Sequence, residues 1–579
     1  MNMETQEKTT VPAKAKAACF ISGAEALILS LLEEKVETVF GYPGGAIMPV
    51  YDALYDYTGR LNHILVRHEQ GAVHAAQGYA RASGKTGVCF ATSGPGATNL
   101  VTGLADAQID STPLVCITGQ VASTLLGTDA FQETDVMAIS MPISKWNVQV
   151  SKAEDIPAAI AKAFYIARSG RPGPVLVDIT KDAQFGKFHF EYKPCTGLRS
   201  YHPQPRLLEE PLKEAAALIN NAQKPFLLVG HGVLISAAEQ VLKAFAEKTG
   251  IPVASTLLGL SAFPTDHPLY TGLLGMHGNY GPNLKTNECD VLIAVGMRFD
   301  DRVTGNAAKY ARQAKVIHIE IDPAEINKII QADVAILADA GAALRGLLGK
   351  VKQGDHRAWL EEFKACNQLE YEKIKRQELN PLTGGLRMAE VIDLLSKKAP
   401  EETILVSDVG QHQMAASRYY HFNTPHTHIT SGGLGTMGFA LPAAMGAKVA
   451  RPATEVIAVI GDGGFQMTLQ ELGTINQSDI AVKIIILNNN FLGMVRQWQD
   501  LFFSRRYSST EMINPDFVAI AKGYFLKAEK VSLREELEAA ILRMLEHPGP
   551  YLLEVVVEKE ENIFPMVPSG ASVSEIRLE

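Results

Sequence analysis

A chain of 579 residues has room for three or four domains, and 46% apolar with 20% charged residues is the composition of a globular protein with large buried cores. The net charge of −9 is mild at this length and no stretch gathers Lys and Arg on one face, which argues against nucleic acid as a partner. The longest Ala/Gly/Leu-rich stretch, 431–450, is broken by five glycines and Pro442, which argues against a membrane span.

Residues 1–17 mix Glu4 and Glu7 with lysines and lack an apolar run, unlike a secretory signal or an acid-poor transit peptide, so a flexible tail is expected. The six cysteines (Cys19, Cys89, Cys116, Cys195, Cys289, Cys366) have no metal-ligand spacing and read as free thiols of a cytoplasmic protein. From residue 18 onward one unit recurs: a Val/Ile-rich run, a Gly-rich turn, then a helical pattern. GVCFATSGPGATNLVTGLADA (87–107), PFLLVGHGV (225–233), DVLIAVGMRFDD (290–301) and EVIAVIGDGGFQMTLQELGTI (455–475) are examples. The pattern predicts α/β architecture, with parallel sheets wrapped by helices and ligands at the carboxyl ends of strands. Two stretches break the rhythm, the Pro-punctuated 191–211 and the charged 351–381, the second expected to carry helix. They divide the chain into 18–190, 191–370 and 371–579. The first and third blocks are each sized for one doubly wound sheet, candidates for a shared fold.

In the first block Glu69 follows the apolar HILV and opens a helix of small residues (65–81), where a carboxylate also suits the helix dipole. In the middle block a strand ending at Gly296, with Arg298 just beyond, can bring backbone and guanidinium to a diphosphate. Glu320, ending the next strand, suits a ribose hydroxyl. The third block holds Gly461-Asp462-Gly463, then twenty-four residues, then Asn488-Asn489, each end preceded by an apolar strand. A carboxylate and an amide at neighbouring strand ends can offer hard oxygens to one Mg²⁺, leaving its other sites to diphosphate oxygens. Gly461, Gly463 and Gly464 let backbone approach those phosphates, and a helix expected to start near Met467 would direct N–H groups at them.

This motif is the one shared by thiamine-diphosphate enzymes, and from about residue 17 to 570 the chain resembles the acetohydroxyacid synthases among them. The resemblance implies three doubly wound domains: a thiamine-pyrimidine domain, a central FAD domain, and a diphosphate/Mg²⁺ domain ending in a C-terminal arm. It implies that Glu69, in LVRHEQGAVHAAQGYAR, activates the cofactor by bonding its aminopyrimidine, a task helped when burial lets a carboxyl share a proton. It places Gly45 near the thiazolium, Phe131 and Gln132 beside the reaction centre, and Lys181 at the entrance. Gln411, His412, Gly435 and Met437 would line the cofactor, with Met437 wedged beneath it. Asp462, Asn489 and the Phe491 carbonyl would hold Mg²⁺. Met494 and Trp498, at i and i+4 of one helix, would face the acceptor ketoacid. Arg171, Thr256, Leu257, Met276, His277, Gly296, Arg298, Asp300, Arg302, Glu320, Ile321 and Asp339 match the FAD site, Arg302 also reaching toward substrate.

The implied reaction joins a two-carbon unit from pyruvate to a second pyruvate or to 2-ketobutyrate, the entry to valine, leucine and isoleucine synthesis, with FAD structural rather than redox-active. The implied assembly is a homodimer or a dimer of dimers, with a separate small regulatory subunit. A flavin-linked pyruvate oxidase has similar architecture; the match around Gly45, Phe131, Gln132 and Trp498 favours ligation. A non-catalytic relative would be expected to lack Glu69 or Asp462.

Overall fold

The computed structural model describes residues 20–579, so the expected tail, 1–17, and Cys19 lie outside the described residues. Three six-stranded sheets form the frame, every neighbouring pair parallel. Counting strands in chain order within each sheet, the first (Thr38–Gly41 to Pro174–Thr180) runs 2-1-3-4-6-5. The third (Ile404–Ser407 to Tyr551–Val556) has the same order. The first and third blocks therefore share a topology. The middle sheet (Pro225–Val229 to Val334–Leu337) runs 3-2-1-4-5-6, the order of dinucleotide-binding sheets. All three are α/β domains. Their central strands, such as Val291–Val295, Val456–Gly461 and Lys483–Asn488, are Val- and Ile-rich runs buried along their length, as expected where helices cover both faces.

Each order reverses beside its first strand, and the crevice beyond the strand ends at that reversal is where a doubly wound sheet binds ligands. In the first sheet it lies between the turns after Gly41 and Ala91, in the second between those after Val229 and Val295, and in the third between those after Ser407 and Gly461. The four Gly-rich turns singled out in the sequence stand at these three places, two of them flanking the middle sheet's reversal.

The first and third domains share one hydrophobic core. Their contact is the crossing of helix Glu69–Ser83 on helix Ala440–Ala450, made close by small residues. A β-carbon on Gly78 would stand 1.9 Å from the Ala443 carbonyl oxygen, and one on Gly446 1.8 Å from that of Ala75. Phe439, fully buried at the head of the second helix with His74 5.3 Å away, contributes on the order of 2–3 kcal/mol by burial. The second connector is helical as expected: Arg357–Glu370, a π turn Tyr371–Lys375, then Arg376–Leu379. Trp359 fastens it to the middle sheet through the Pro225 carbonyl at 3.0 Å. The last residues fold back over the middle domain, where Val567 N–H donates to the Met276 carbonyl at 2.8 Å.

The helix after the Gly-Asp-Gly turn begins at Asp462, not near Met467, and runs to Thr468. Two glycines in a first turn weaken helix propensity, but burial of Phe465 against Phe517, ring centroids 5.4 Å apart, outweighs that cost. Its N-terminal N–H groups therefore belong to Asp462, Gly463 and Gly464 themselves.

Candidate functional site

At the reversal of the third sheet the turns Asp408–His412 and Gly461–Gly464 face each other. Asp462 is buried, and desolvation pushes its carboxyl up to about 6. Its Oδ2 accepts from Asn514 Nδ2 at 2.6 Å, and the same amide lies 3.0 Å from both Asn488 Oδ1 and Asn490 Oδ1. One carboxylate and two amide oxygens thus converge on one point. Asn489 stands beside Asp462, its Oδ1 accepting the Phe491 N–H at 3.1 Å and its Nδ2 donating to Gln411 at 3.3 Å. Asn488, which shares the Asn514 amide with Asp462, has its own Nδ2 held by Glu554 at 2.8 Å. Among the described residues no group of three or more His, Cys, Asp or Glu is placed to hold a metal, so a cation at Asp462 would rest on amide, carbonyl and ligand oxygens.

His412 lies against Gly461, is kept neutral by burial, its pKa pushed down to about 3, and leaves Nε2 buried with no partner. A ligand polar group would satisfy it. Gln411 donates to Gln497 at 3.0 Å and to the Glu561 carbonyl at 2.8 Å, which joins this turn to the helix Gly493–Phe502 and the C-terminal arm. Met437 projects over the other turn, its methyl 3.7 Å from where a β-carbon on Gly463 would stand. Gly435, at φ 68°, gives the loop the left-handed turn that lets it pass there.

A cavity of about 1540 Å³ runs from this loop into the middle domain. All twelve residues matched to the FAD site line it, as do Gly435, Met437, Met494 and Trp498. Gly296 (φ 56°) makes its floor, where a β-carbon would stand 2.7 Å from Gly232. Glu320 is buried and pushed up to about 7 by desolvation; its Oε1 accepts the N–H groups of Ile321 and Asp322 at 2.9 and 3.1 Å. Asp300, raised by burial, caps the short helix carrying Arg302. His277, held neutral near 3 by burial, leaves Nδ1 unpartnered. Arg171 spans two domains, bonded to Ser111 at 2.9 Å and paired with Asp322 and Glu325 at 3.2 and 3.1 Å. Asp339 caps the helix that follows it, accepting from Ala342 N–H at 3.0 Å. At one wall the Arg302 guanidinium stands 5.8 Å from the Trp498 ring centroid, a cation–π contact, and Trp498 Nε1 is buried without a partner.

The remaining candidates lie elsewhere. Glu69, Gly45, Phe131, Gln132 and Lys181 are absent from the lining of this cavity. Four of them cluster around the first sheet's reversal instead. Glu69 is buried, with Asn99 Nδ2 donating to Oε2 at 2.9 Å; Thr92 and Gly96 are its neighbours, Gly44 packs on Thr92, and Gln132 (φ 60°) packs on Gly94. Gly45 is open to solvent and Phe131 is 89% exposed. Lys181 starts a short helix, and its neighbour Asp182 bonds Ser123 N–H at 2.9 Å. Within one chain the Glu69 cluster is thus separate from the cavity lined by Met437, Met494 and Trp498. Sequence reasoning missed Asn514, Asp408 and Asp110. Asn514 sits in an Asn-Pro pair that reads only as a turn, and Asp110 shows its role only in space, accepting the Gly432 and Gly433 N–H groups at 2.8 and 2.7 Å.

Comparison with known families bears on all three domains. The model described as "Thiamine pyrophosphate enzyme, N-terminal TPP binding domain" matches 21–139, the central domain of the same enzymes 212–347, and the C-terminal TPP binding domain 408–555. Fold and crevices together define a thiamine-diphosphate enzyme. The acetolactate synthase isozyme 2 large subunit of Escherichia coli is 48% identical over 96% of this chain and 99% of its own length. The acetolactate synthase large subunit of Corynebacterium glutamicum is 47% identical over 98% and 92%. The probable acetolactate synthase large subunit of Methanocaldococcus jannaschii is 46% identical over 96% and 95%. The chain belongs to the acetolactate synthase large-subunit family.

Proposed function

We propose that this protein decarboxylates pyruvate and ligates the two-carbon unit to a second pyruvate, giving 2-acetolactate, or to 2-ketobutyrate, giving 2-aceto-2-hydroxybutyrate. The observation that carries the reading is the convergence of Met437, Met494, Trp498 and Arg302 on one cavity in a chain nearly co-extensive with acetolactate synthases. In net terms two pyruvate anions and a proton become one acetolactate anion and CO₂, so no external oxidant is needed.

Thiamine diphosphate, when bound, supplies the nucleophilic thiazolium carbon that adds to the ketoacid and takes up the electron pair left by CO₂. The residues present fit it and its metal. Asp462 with the nearby amide oxygens offers a hard-oxygen site, the N–H groups of Gly463 and Gly464 would be available to the phosphates, and unpartnered His412 Nε2 would take a ligand polar group. Met437, over the Gly463 turn, would support the cofactor by packing, which an apolar side chain can do without competing for protons. Glu69 holds and moves the aminopyrimidine proton.

FAD fits the middle-domain cavity, which at about 1540 Å³ exceeds the roughly 300–1,000 Å³ of an ordinary small-ligand pocket. Gly296 would admit the diphosphate, Arg298 would neutralise it, and Glu320 would receive a ribose hydroxyl. Because ligation transfers no net electrons, a redox-dead FAD analogue is expected to support acetolactate formation at near-parental rate. Loss of ligation with the analogue fully bound would overturn the structural role.

The absence of Glu69 from the cavity that Met437, Met494 and Trp498 line in its own chain supports a homodimer in which the first domain of one chain covers the third domain of the other. Exposed apolar side chains on both domains, Met48, Leu125, Phe131 and Met141 on one and Leu434 and Met467 on the other, suit burial against a second copy. The relatives' designation as large subunits supports a separate small regulatory subunit. No helix among the described residues is long and apolar enough to cross a membrane, and a cytoplasmic location accords with a biosynthetic role.

Trp498 forms one wall of the acceptor pocket, and discrimination of one methylene there amounts to about 1–3 kcal/mol. Trp498→Leu is expected to shift the product ratio from mixed acceptors toward acetolactate by about tenfold, more than it lowers total rate. Product analysis with pyruvate and 2-ketobutyrate together reads this, and an unchanged ratio would remove Trp498 from selectivity. The whole assignment is tested by incubating the protein with pyruvate, thiamine diphosphate, Mg²⁺ and FAD. Acetolactate is the expected product; oxygen or quinone consumption without it would make the protein a pyruvate oxidase.

A further inference from the structure

The segment Val66–His68, just before Glu69, belongs to no strand or helix, yet it is gripped by residues about four hundred positions away. The Arg67 N–H donates to both oxygens of Glu471, at 3.1 and 3.2 Å. Thr474 Oγ1 lies 2.6 Å from Glu471 Oε2 and 3.2 Å from the Leu65 carbonyl. The Arg67 guanidinium completes the clasp, donating to the Gly473 carbonyl at 3.1 Å and to Gln477 Oε1 at 2.6 Å. Glu471 is fully buried, and the fit is tight: a β-carbon on Gly71 would stand 2.4 Å from its Oε1.

A buried carboxylate is a costly way to fill space, since an apolar side chain of similar size would pack there without desolvation. Its two oxygens, by contrast, fix a backbone N–H in direction as well as distance. The backbone so fixed lies two residues before Glu69, and proton transfer requires heavy-atom distances within about 2.6–3.2 Å. Glu471 itself belongs to the helical run that begins at Asp462, through the single turn Leu469–Glu471 and the helix Leu472–Gln477. The element that starts at the diphosphate crevice thus ends on the turn that carries the glutamate.

We propose that Glu471 is a positioning residue for Glu69: it holds the 65–68 backbone so that the Glu69 carboxyl keeps its reach to the cofactor. The inference rests on the reading of Glu69 as the residue that handles the aminopyrimidine proton.

The test uses the full-length holoenzyme and four variants: Glu471→Ala, Glu471→Gln, Thr474→Val and Glu69→Gln. Three quantities are read: the rate of hydrogen–deuterium exchange at C2 of bound thiamine diphosphate, kcat and KM for pyruvate, and backbone amide exchange of peptides covering 62–75 in the cofactor-free protein. In Glu471→Ala, C2 exchange and kcat are expected to fall together by about 10- to 100-fold, the scale of a misplacement near 1 Å, with KM within about twofold. Amides of 65–72 should exchange faster while those of 456–461 do not. Glu471→Gln, whose amide oxygen can still accept from Arg67, should recover most of the loss. If Glu471→Ala does not fold, the near-isosteric Thr474→Val takes its place, with a loss of about threefold or more in C2 exchange expected from a single weakened contact. Parental C2 exchange in the folded variant would overturn the proposal, and so would a fall in kcat with C2 exchange unchanged. Glu69→Gln separates the two readings: parental C2 exchange in that variant would refute the role of Glu69, whereas loss there with none in Glu471→Ala would refute only the positioning role.

Discussion

Glu69→Gln is expected to lower the rate of acetolactate formation by about 10²–10⁴-fold, the usual contribution of a positioned acid–base group, while leaving the fold intact. The amide has the volume of the carboxyl and can still accept from Asn99, now at 2.9 Å, so packing at the head of the helix Glu69–Ser83 should survive. It cannot give and take the proton. Turnover within about threefold of the parent protein would remove Glu69 from that role. The same variant tests the shared site. A Glu69→Gln chain keeps a sound third domain, and an Asp462→Ala chain keeps a sound first domain. Mixing the two inactive proteins under conditions of subunit exchange should restore about a quarter of the centres, because half the dimers are mixed and each mixed dimer holds one complete centre. Failure to complement, with exchange demonstrated by mass spectrometry, would place both residues in the site of one chain.

The largest effect on stability is expected from Glu370→Ala. Glu370 and Arg418 form an ion pair at 3.0 Å with both side chains fully buried, tying the connecting helix to the third domain. The carboxylate also accepts from Asn279 Nδ2 and Tyr280 N–H, both at 2.7 Å, and lies 3.4 Å from Lys375 Nζ. Removing it leaves Arg418 buried beside the Phe564 carbonyl without its main counter-charge, at a cost of about 3–5 kcal/mol. A thermal midpoint lower by on the order of 10 °C is expected for the affected domain, and Glu370→Leu combined with Arg418→Met should recover part of it. A midpoint within about 2 °C of the parent would show that the pair contributes little.

This pair also has a pH signature. Burial pushes the Glu370 carboxyl up, but Lys375, Arg418 and the two N–H donors outweigh burial and hold it below the ordinary 4.5. A carboxyl depressed in the folded state stabilises fully above its unfolded value and loses that contribution as pH falls through the folded value. The stability gap between parent and Glu370→Ala should therefore be constant near neutrality and close below pH 4.5. A gap that widens on acidification would show the opposite sign of coupling.

The crossing of Glu69–Ser83 on Ala440–Ala450, the capture of Arg67 by Glu471 and the gathering of Asn488 and Asn490 on Asn514 all join residues far apart in the chain. No periodicity or spacing can announce such contacts. What the sequence determined by itself is local. Val/Ile runs, Gly-rich turns and helical patterns specify strand, turn and helix, because backbone propensity and alternate burial act over a few residues. Hence the α/β class, the Gly-Asp-Gly turn, the helix opening at Glu69 and the pairing of Met494 with Trp498 were legible. Only the tertiary structure decided that the third-domain helix starts at Asp462, since burial of Phe465 overrides the weak propensity of two glycines. It also decided that Asn514 joins Asp462 to Asn488 and that Glu69 lies outside its own chain's cavity, because side-chain partners follow from tertiary packing, which no single segment encodes.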